Sequence, residues 1–218
     1  MEWRLLQGVP EEEVRRLLQV ARRRSFGRGE VVFHRDDPAD SLHLISKGRF
    51  AVRVMTPLGD VATIAVRGPG ESFGEMALVG PGARRSATVE ALEVAETLCV
   101  YEGDFARLRQ EHPQVNEFVI GFLANEVRML NERLLEAPYV PAERRVLRRL
   151  NELARLYGND TAEPVEIPLT QEELAGLAGT SRATVNTVLG DAQKRGLVEL
   201  RRGKTRILDP DQLTRRAR

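Results

Sequence analysis

LTQEELAGLAGTSRATVNTVLGDAQKRGLV, residues 169–198, carries its own start and stop signals. Thr170 and Glu173 have the spacing of a capping box, in which a hydroxyl and a carboxylate each satisfy an amide left open at a helix start. Gly179 supplies the left-handed conformation of a tight turn, and Ser181 heads the next helix. Leu174, Val185, Val188 and Leu189 fall where two crossing helices bury them, and the small Ala175 lets the helix axes approach. The pattern reads as helix, turn, helix, with Arg182, Ala183, Asn186 and Thr187 facing outward.

A DNA major groove admits one helix, and the second helix of this motif presents its N-terminal residues there, so double-stranded DNA is the partner this pattern predicts. Arg182 can donate two hydrogen bonds to guanine O6 and N7, and Ala183 can touch a thymine methyl group. Thr170, Ser181 and Thr184 join the DNA-facing set, the latter two suited with the helix N-terminus to phosphate, which fixes register without reading sequence. LVELRRGKTRIL, residues 197–208, forms a hairpin whose tip, Arg202, Gly203 and Lys204, reaches flanking backbone as a wing. The rival reading is a helical hairpin used for protein contacts.

Charge follows the same division. Residues 1–138 carry 18 basic and 21 acidic side chains, whereas residues 139–218 carry 15 and 11. From Arg182 to Arg206, seven basic residues face only Asp191 and Glu199, which suits a polyanion and would also suit a solvated face.

Upstream, PAERRVLRRLNELARLYG, residues 141–158, reads as a helix with Val146, Leu147, Leu150 and Leu153 inside and Gly158 as its stop. Pro138 and Pro141 break helix continuity before it, so a boundary belongs there. A long helix precedes them, from about Pro113 to Glu136. Along it Ile120, Leu123, Val127, Leu130 and Leu134 recur at alternating steps of three and four, a coiled-coil seam that predicts a parallel homodimer. Packing of these residues on the chain's own β-rich part is the alternative, although Phe118 and Phe122 lie off the seam and can serve that purpose.

Nearer the start, VPEEEVRRLLQVARRR, residues 9–24, places acids first, arginines last, and Val14, Leu17, Leu18 and Ala21 on one helical face. From Ser25 to Tyr101 the pattern turns to short β-prone runs punctuated by glycine, with PLGD at 57–60 as a hairpin turn. Many short strands imply a jelly roll or barrel. The fold class is α+β: a β-roll at 1–112, a dimerisation helix at 113–137 and a winged helix-turn-helix domain at 138–218.

Cys99 is the single cysteine of the 218 residues and sits in an apolar run. One thiol builds neither an intrachain disulfide nor an iron–sulfur cluster, and Cys99 reads as a small core residue. His34, His43 and His112 are too few and scattered for a metal site. No stretch approaches the roughly 18 apolar residues that span a bilayer, so the expectation is a cytoplasmic protein without membrane contact.

Within the β region, GEMALVGPGARRSATVEAL, residues 74–92, asks for a separate explanation. Backbone amides around Gly74 and Glu75 favour an anion, and Arg85 with Ser86 supplies charge and a hydroxyl donor. Arg84 reads as a rim residue. The competing reading of Arg85 is a salt bridge with a neighbouring acid.

Over nearly its whole length the chain resembles the cyclic-AMP receptor protein (catabolite activator) and FNR superfamily of transcription regulators. In that family GE, a loop, then RSA form the phosphate-binding cassette of a cyclic-nucleotide site. The resemblance implies cyclic AMP as allosteric ligand, held by Gly74, Glu75, Arg85 and Ser86, with Glu75 accepting from the ribose 2′-hydroxyl and Asn131 reaching the adenine across the dimer. It also implies a TGTGA-like palindromic site and RNA polymerase as a partner, through surfaces such as the GNDTAE loop at 158–163. Two departures stand out. Relatives supply an arginine and a threonine to the base where this chain has Glu126 and Leu130, and SRATVNT replaces the common SRETV. Ala183 cannot accept from cytosine, which relaxes the inner positions of the half-site. Control by another nucleotide, or by abundance alone without ligand, stays open beside cyclic AMP; from another class comes a cupin-like metal enzyme, although no nucleophile with an adjacent base is apparent.

Overall fold

The first surprise lies in three arginines. Helix α1 spans Glu11–Val20, with Glu11, Glu12 and Glu13 in its first turn. The chain then becomes extended at Ala21, and Arg22, Arg23 and Arg24 enter strand β1, Arg22–Phe26, instead of the last helical turn. Strand pairing decides this, because β8, Ala95–Tyr101, offers a complete antiparallel ladder to β1. As an edge strand, β1 keeps its arginines exposed, with Arg22 lying over the Tyr101 ring and Arg23 ion-paired to Glu96. Edge charges of this kind discourage strand-to-strand aggregation.

This computed structural model describes residues 3–7, 10–56, 59–78, 82–113, 115–158 and 163–217. The chain divides into two compact units, Met1–Met129 and Leu130–Arg218. In the first, the remaining strands are β2 (Val31–Phe33), β3 (Ser41–Lys47), β4 (Phe50–Met55), β5 (Val61–Arg67), β6 (Ser72–Phe73) and β7 (Thr88–Ala91). They form two four-stranded antiparallel sheets, ordered β1-β8-β3-β6 and β2-β7-β4-β5, which is the expected jelly roll. Pro57 and Leu58 of the predicted turn lie outside the described residues, but the hairpin they belong to is closed by Thr56 N–H donating to Asp60 O at 2.7 Å.

Between the sheets, Phe26, Ile45, Phe50, Phe73 and Val89 make an aromatic-rich core, with Phe26 edge-on to Phe50. A second core lies outside the roll. There Trp3, Leu17, Leu42, Leu44 and Val100 meet Phe105 and Leu108 of helix α2, Glu102–Glu111, an element the sequence reading did not assign. The indole N–H of Trp3 donates to Ile45 O at 3.0 Å, which satisfies the polar atom of a buried ring.

Helix α3 runs from Val115 to Tyr139, and the division between the two units falls within it. The predicted break at Pro138 does not occur there. A proline this near a helix end forfeits one hydrogen bond, and the guanidinium of Arg145 supplies donors to the carbonyls of Ala137 at 2.8 Å and Val140 at 3.1 Å. Pro141 instead precedes helix α4, Ala142–Tyr157.

The second unit continues with β9 (Val165–Ile167), α5 (Gln171–Ala178), α6 (Arg182–Lys194), β10 (Val198–Arg201), β11 (Lys204–Ile207) and α7 (Pro210–Ala217). Val146, Leu147, Leu150 and Leu153 of α4 are buried, as their spacing predicts, and α4 packs on α5, α6 and α7. Strand β9 and helix α7 went unread in the sequence. The first pairs with β11 and makes the wing a three-stranded sheet, and the second buries Leu213.

Candidate functional site

Arg85 is 2% exposed and held from several sides. Its backbone is clamped to the loop before β3, with Arg85 N–H donating to Asp37 O and Asp36 N–H to Arg85 O, both at 2.9 Å. Nη1 donates to Ser41 O at 2.6 Å and to Gly74 O at 3.2 Å. Nη2 donates to Ser41 Oγ and Asp40 Oδ1, each at 2.9 Å, while the Phe33 ring centre lies 4.0 Å from the guanidinium carbon. Nε–H is buried and has no acceptor among the described residues. A buried donor of a cation costs free energy until an oxygen accepts from it.

Gly74 explains itself here. Its φ is +84°, and a Cβ would lie 2.7 Å from Arg85 Nη1 and 2.8 Å from Ser41 O, so any side chain collides with the guanidinium's own anchor. Glu75 follows, half-buried, at the start of the short 3-10 turn Glu75–Leu78, and Ser86 is exposed beside Arg85. The structure therefore brings Arg85 onto Gly74, with Glu75 next to the one and Ser86 next to the other along the chain. It also realises the competing reading of Arg85, since Asp40 is an ion-pair partner. Val79, Gly80 and Pro81 of the intervening loop lie outside the described residues. Arg84 is an exposed rim residue, donating to Asp36 O at 2.7 Å.

Behind the arginine lies His43, 1% exposed and stacked 4.9 Å from the Phe73 ring. Its Nδ1 is 3.0 Å from Thr97 Oγ1, and Nε2 faces Ser41 Oγ at 3.4 Å. Burial, then the nearby charges of Arg85 and Arg24, push the imidazole pKa down to about 3, so His43 stays neutral. Burial also lowers the pKa of Arg85, with Asp40 pulling it back up, and raises that of the Cys99 thiol. Cys99 is fully buried, as expected. Among the described residues no cluster of three or more His, Cys, Asp or Glu side chains is placed to hold a metal ion.

The helix-turn-helix of the second unit follows its sequence signals closely. Thr170 and Glu173 form the capping box, Gly179 is left-handed with φ +59° and ψ +44°, and Ser181 caps α6 by accepting from Thr184 N–H. Leu174, Ala175, Val185, Val188 and Leu189 are buried, whereas Arg182, Ala183, Asn186 and Thr187 are exposed. Several hydroxyls are already engaged: Ser181 Oγ is 2.9 Å from Thr184 Oγ1, Thr187 donates to Ala183 O, and Thr170 donates to Glu173. At the wing, Arg202 and Gly203 form an exposed turn, but Lys204 is ion-paired at 2.7 Å to Glu166 on β9. Arg201 and Arg206 likewise share Glu199. Counting charges along the chain missed Glu166, so the wing is less basic than it reads.

Comparison with known proteins gives the same two parts in the same order. Residues 23–112 match the family described as Cyclic nucleotide-binding domain, and residues 144–216 match the Crp-like helix-turn-helix domain. The chain is 31% identical over 219 residues to the "CRP-like cAMP-activated global transcriptional regulator" of Mycobacterium tuberculosis, covering 98% of this chain and 96% of that one. It is 32% identical over 203 residues to the "Cyclic AMP receptor protein" of Thermus thermophilus, covering 93% and 91%. The crystal structure of the Thermus thermophilus catabolite activator protein superposes with a TM-score of 0.56 at 31% identity, covering 98% and 97%. The chain belongs to the CRP/FNR family. It is a DNA-binding transcription regulator with a cyclic-nucleotide-binding domain, in a family of regulators rather than enzymes.

Measured against that CRP/FNR membership, α3 carries the chain's own features. Ile120, Val127, Leu130 and Leu134 are 56–72% exposed, while Leu123 is half-buried and Phe122 packs on the core outside the roll. The side chain of Phe118 lies outside the described residues. Glu126 is bound at 3.0 Å by Arg67, whose other nitrogen meets Glu71 at 3.2 Å. Asn131 is exposed and belongs to the second unit, so the first unit gathers four of the five expected nucleotide residues by itself.

Proposed function

We propose that this regulator works as a homodimer whose affinity for a TGTGA-like palindrome is set by cyclic AMP held in the β-roll. The observation that carries this reading is Arg85, pinned in the GE-loop-RRSA cassette with a buried Nε–H that has no acceptor among the described residues. The residues present fit the ligand: Arg85 and Ser86 would take its phosphate and Glu75 its ribose hydroxyl, in a cradle kept clear by the missing Cβ of Gly74, while Asn131 of a second copy would reach its base across the dimer. Two relatives bear names that tie them to cyclic AMP.

The domain limits follow as 1–112, 113–137 and 138–218. The stripe Ile120, Leu123, Val127, Leu130 and Leu134, exposed except at the half-buried Leu123, would close against a second copy of α3 and hold two recognition helices roughly 34 Å apart, one turn of DNA. Arg182 would read guanine, with Ala183, Asn186 and Thr187 beside it, while Thr170, Ser181, Thr184, Arg202, Gly203 and Lys204 would meet the backbone. RNA polymerase is the expected partner on DNA, in the cytoplasm. Asn159 to Ala162, in the loop expected to face it, lie outside the described residues.

Ligand control requires a bias on the order of 5.5 kcal/mol between inactive and active arrangements, about half from each of two sites. Measuring DNA affinity while titrating cyclic AMP tests the proposal, and a rise of at least tenfold is expected. A second reading, control by abundance alone, draws on Glu126 being committed to Arg67 and on Leu130 extending the apolar stripe. Equal DNA affinity with and without nucleotide would select it.

A further inference from the structure

The wing sheet of β9, β10 and β11 presents two unlike faces. Val165, Ile167, Val198, Thr205 and Ile207 lie on the inner one and are buried. Strand register sets Glu199 opposite Arg206, Arg206 opposite Glu166, and Arg201 opposite Lys204, so these five side chains share the outer face. Each is 39–44% exposed. Lys204 Nζ lies 2.7 Å from Glu166 Oε1, and Arg201 Nη1 lies 3.9 Å from Glu166 Oε2. Arg201 also donates through Nε and Nη2 to the two oxygens of Glu199, at 3.0 and 3.2 Å, which holds that carboxyl below its ordinary range and so keeps it charged. Arg206 Nη1 lies 3.9 Å from the same acid. Cations and carboxylates therefore interleave on one accessible face.

Exposed ion pairs of this kind add little to stability, because water screens them. Their effect falls on the field around the wing, where each carboxylate cancels part of the potential that attracts a polyanion. The Arg201–Lys204 pair closes the hairpin directly beneath the Arg202–Gly203 turn, the tip set against the DNA backbone in the reading above. A phosphate arriving there meets Glu166 beside Lys204, and must either displace the carboxylate from Nζ or sit next to a like charge. We infer that Glu166 and Glu199 are built-in competitors of DNA phosphate, which hold down sequence-independent binding through the wing and leave base contacts at α6 a larger share of the affinity. This inference rests on the wing being a DNA contact and gives a role to two acids outside the helix-turn-helix. They act through Arg201, Lys204 and Arg206 and not by touching DNA. Glu166 is the cleaner handle, since removing its charge leaves the Arg201 bonds to Glu199 in place.

The test is fluorescence-anisotropy titration of a short random-sequence DNA duplex with the full-length protein, as wild type, Glu166→Gln and Arg202→Ala, over a range of salt. Glu166→Gln should bind roughly fivefold more tightly at about 50 mM salt and less than about twofold more tightly at about 200 mM, a slope of log affinity against log salt steeper by about one. In a Lys204→Gln background the same substitution should gain only about twofold. Thermal midpoints without DNA check folding, and Glu199→Gln, expected to shift affinity in the same direction, carries the test if Glu166→Gln does not fold. Equal or weaker binding by Glu166→Gln, with Arg202→Ala still lowering the salt slope, overturns the competition and leaves the wing as a DNA contact. A gain undiminished in the Lys204→Gln background overturns it as well, because the acid then acts on the field of the whole molecule. If neither Glu166→Gln nor Arg202→Ala moves affinity or slope, the wing does not meet DNA and both readings fall.

Discussion

The anion site of the β-roll and the reading helix of the second unit are built on opposite principles. Around α5 and α6 every decisive contact is local: Thr170 with Glu173, Ser181 with Thr184, and a left-handed Gly179 between them. Around Arg85 the decisive partners come from far along the chain, with Asp40 and Ser41 more than forty positions away. Helix α6 also leaves Arg182, Ala183 and Asn186 exposed, while the roll encloses Arg85 almost completely. A surface that reads a large polyanion keeps its charges accessible, and a pocket for one small anion prepays desolvation of its cation with neighbouring dipoles.

That contrast can be broken at several points, the largest first. Arg85→Gln should weaken cyclic AMP binding by about a hundredfold, on the order of 3 kcal/mol, in calorimetry. Its affinity for non-specific DNA should be unchanged, and a loss there would mean that the two regions are not separable. Next, Gly74→Ala should lower the stability of the roll by about 2 kcal/mol in urea unfolding, because φ is positive and the new methyl group meets both Arg85 and Ser41.

On the DNA side, Arg182→Ala should cost about 1 to 3 kcal/mol for the specific site in gel-shift titrations and relax selection at one base position. Cyclic AMP affinity should not move. Acid provides a subtler probe of the roll. The His43 pKa is depressed to about 3, below its unfolded value, so the unfolded chain binds the extra proton between the two values. Stability is therefore complete above about pH 6.5 and falls by on the order of 1 kcal/mol per pH unit beneath it, a slope that His43→Gln should flatten in thermal scans. Smallest of all, Arg202→Ala should reduce the slope of log affinity against log salt by about one, uniformly across DNA sequences.

Legibility followed the same line. The capping box, the left-handed glycine and the buried face of α6 were readable because each depends on residues within one or two turns of one another. The roll was readable as many short strands with glycine turns, but strand β1 was not, since Arg22, Arg23 and Arg24 become a strand only where β8 supplies the ladder. Pro138 misled in the same way, as donors from Arg145 reach the carbonyls around it. The short β9 had no periodicity to announce it, yet it delivers Glu166 to Lys204 and changes the charge of the wing.

Sequence by itself determined the order of the parts, a β-roll, a long helix and a winged helix-turn-helix, because hydrophobic period and turn chemistry are written locally. Resemblance to a cyclic-nucleotide cassette singled out Gly74, Glu75, Arg85 and Ser86 as candidate ligand residues. Only the tertiary structure decided who neutralises Arg85, where Glu126 spends its charge and how basic the wing is. Ion pairs and buried donors depend on which strands become neighbours, and chain order does not encode the distance between Asp40 and Arg85.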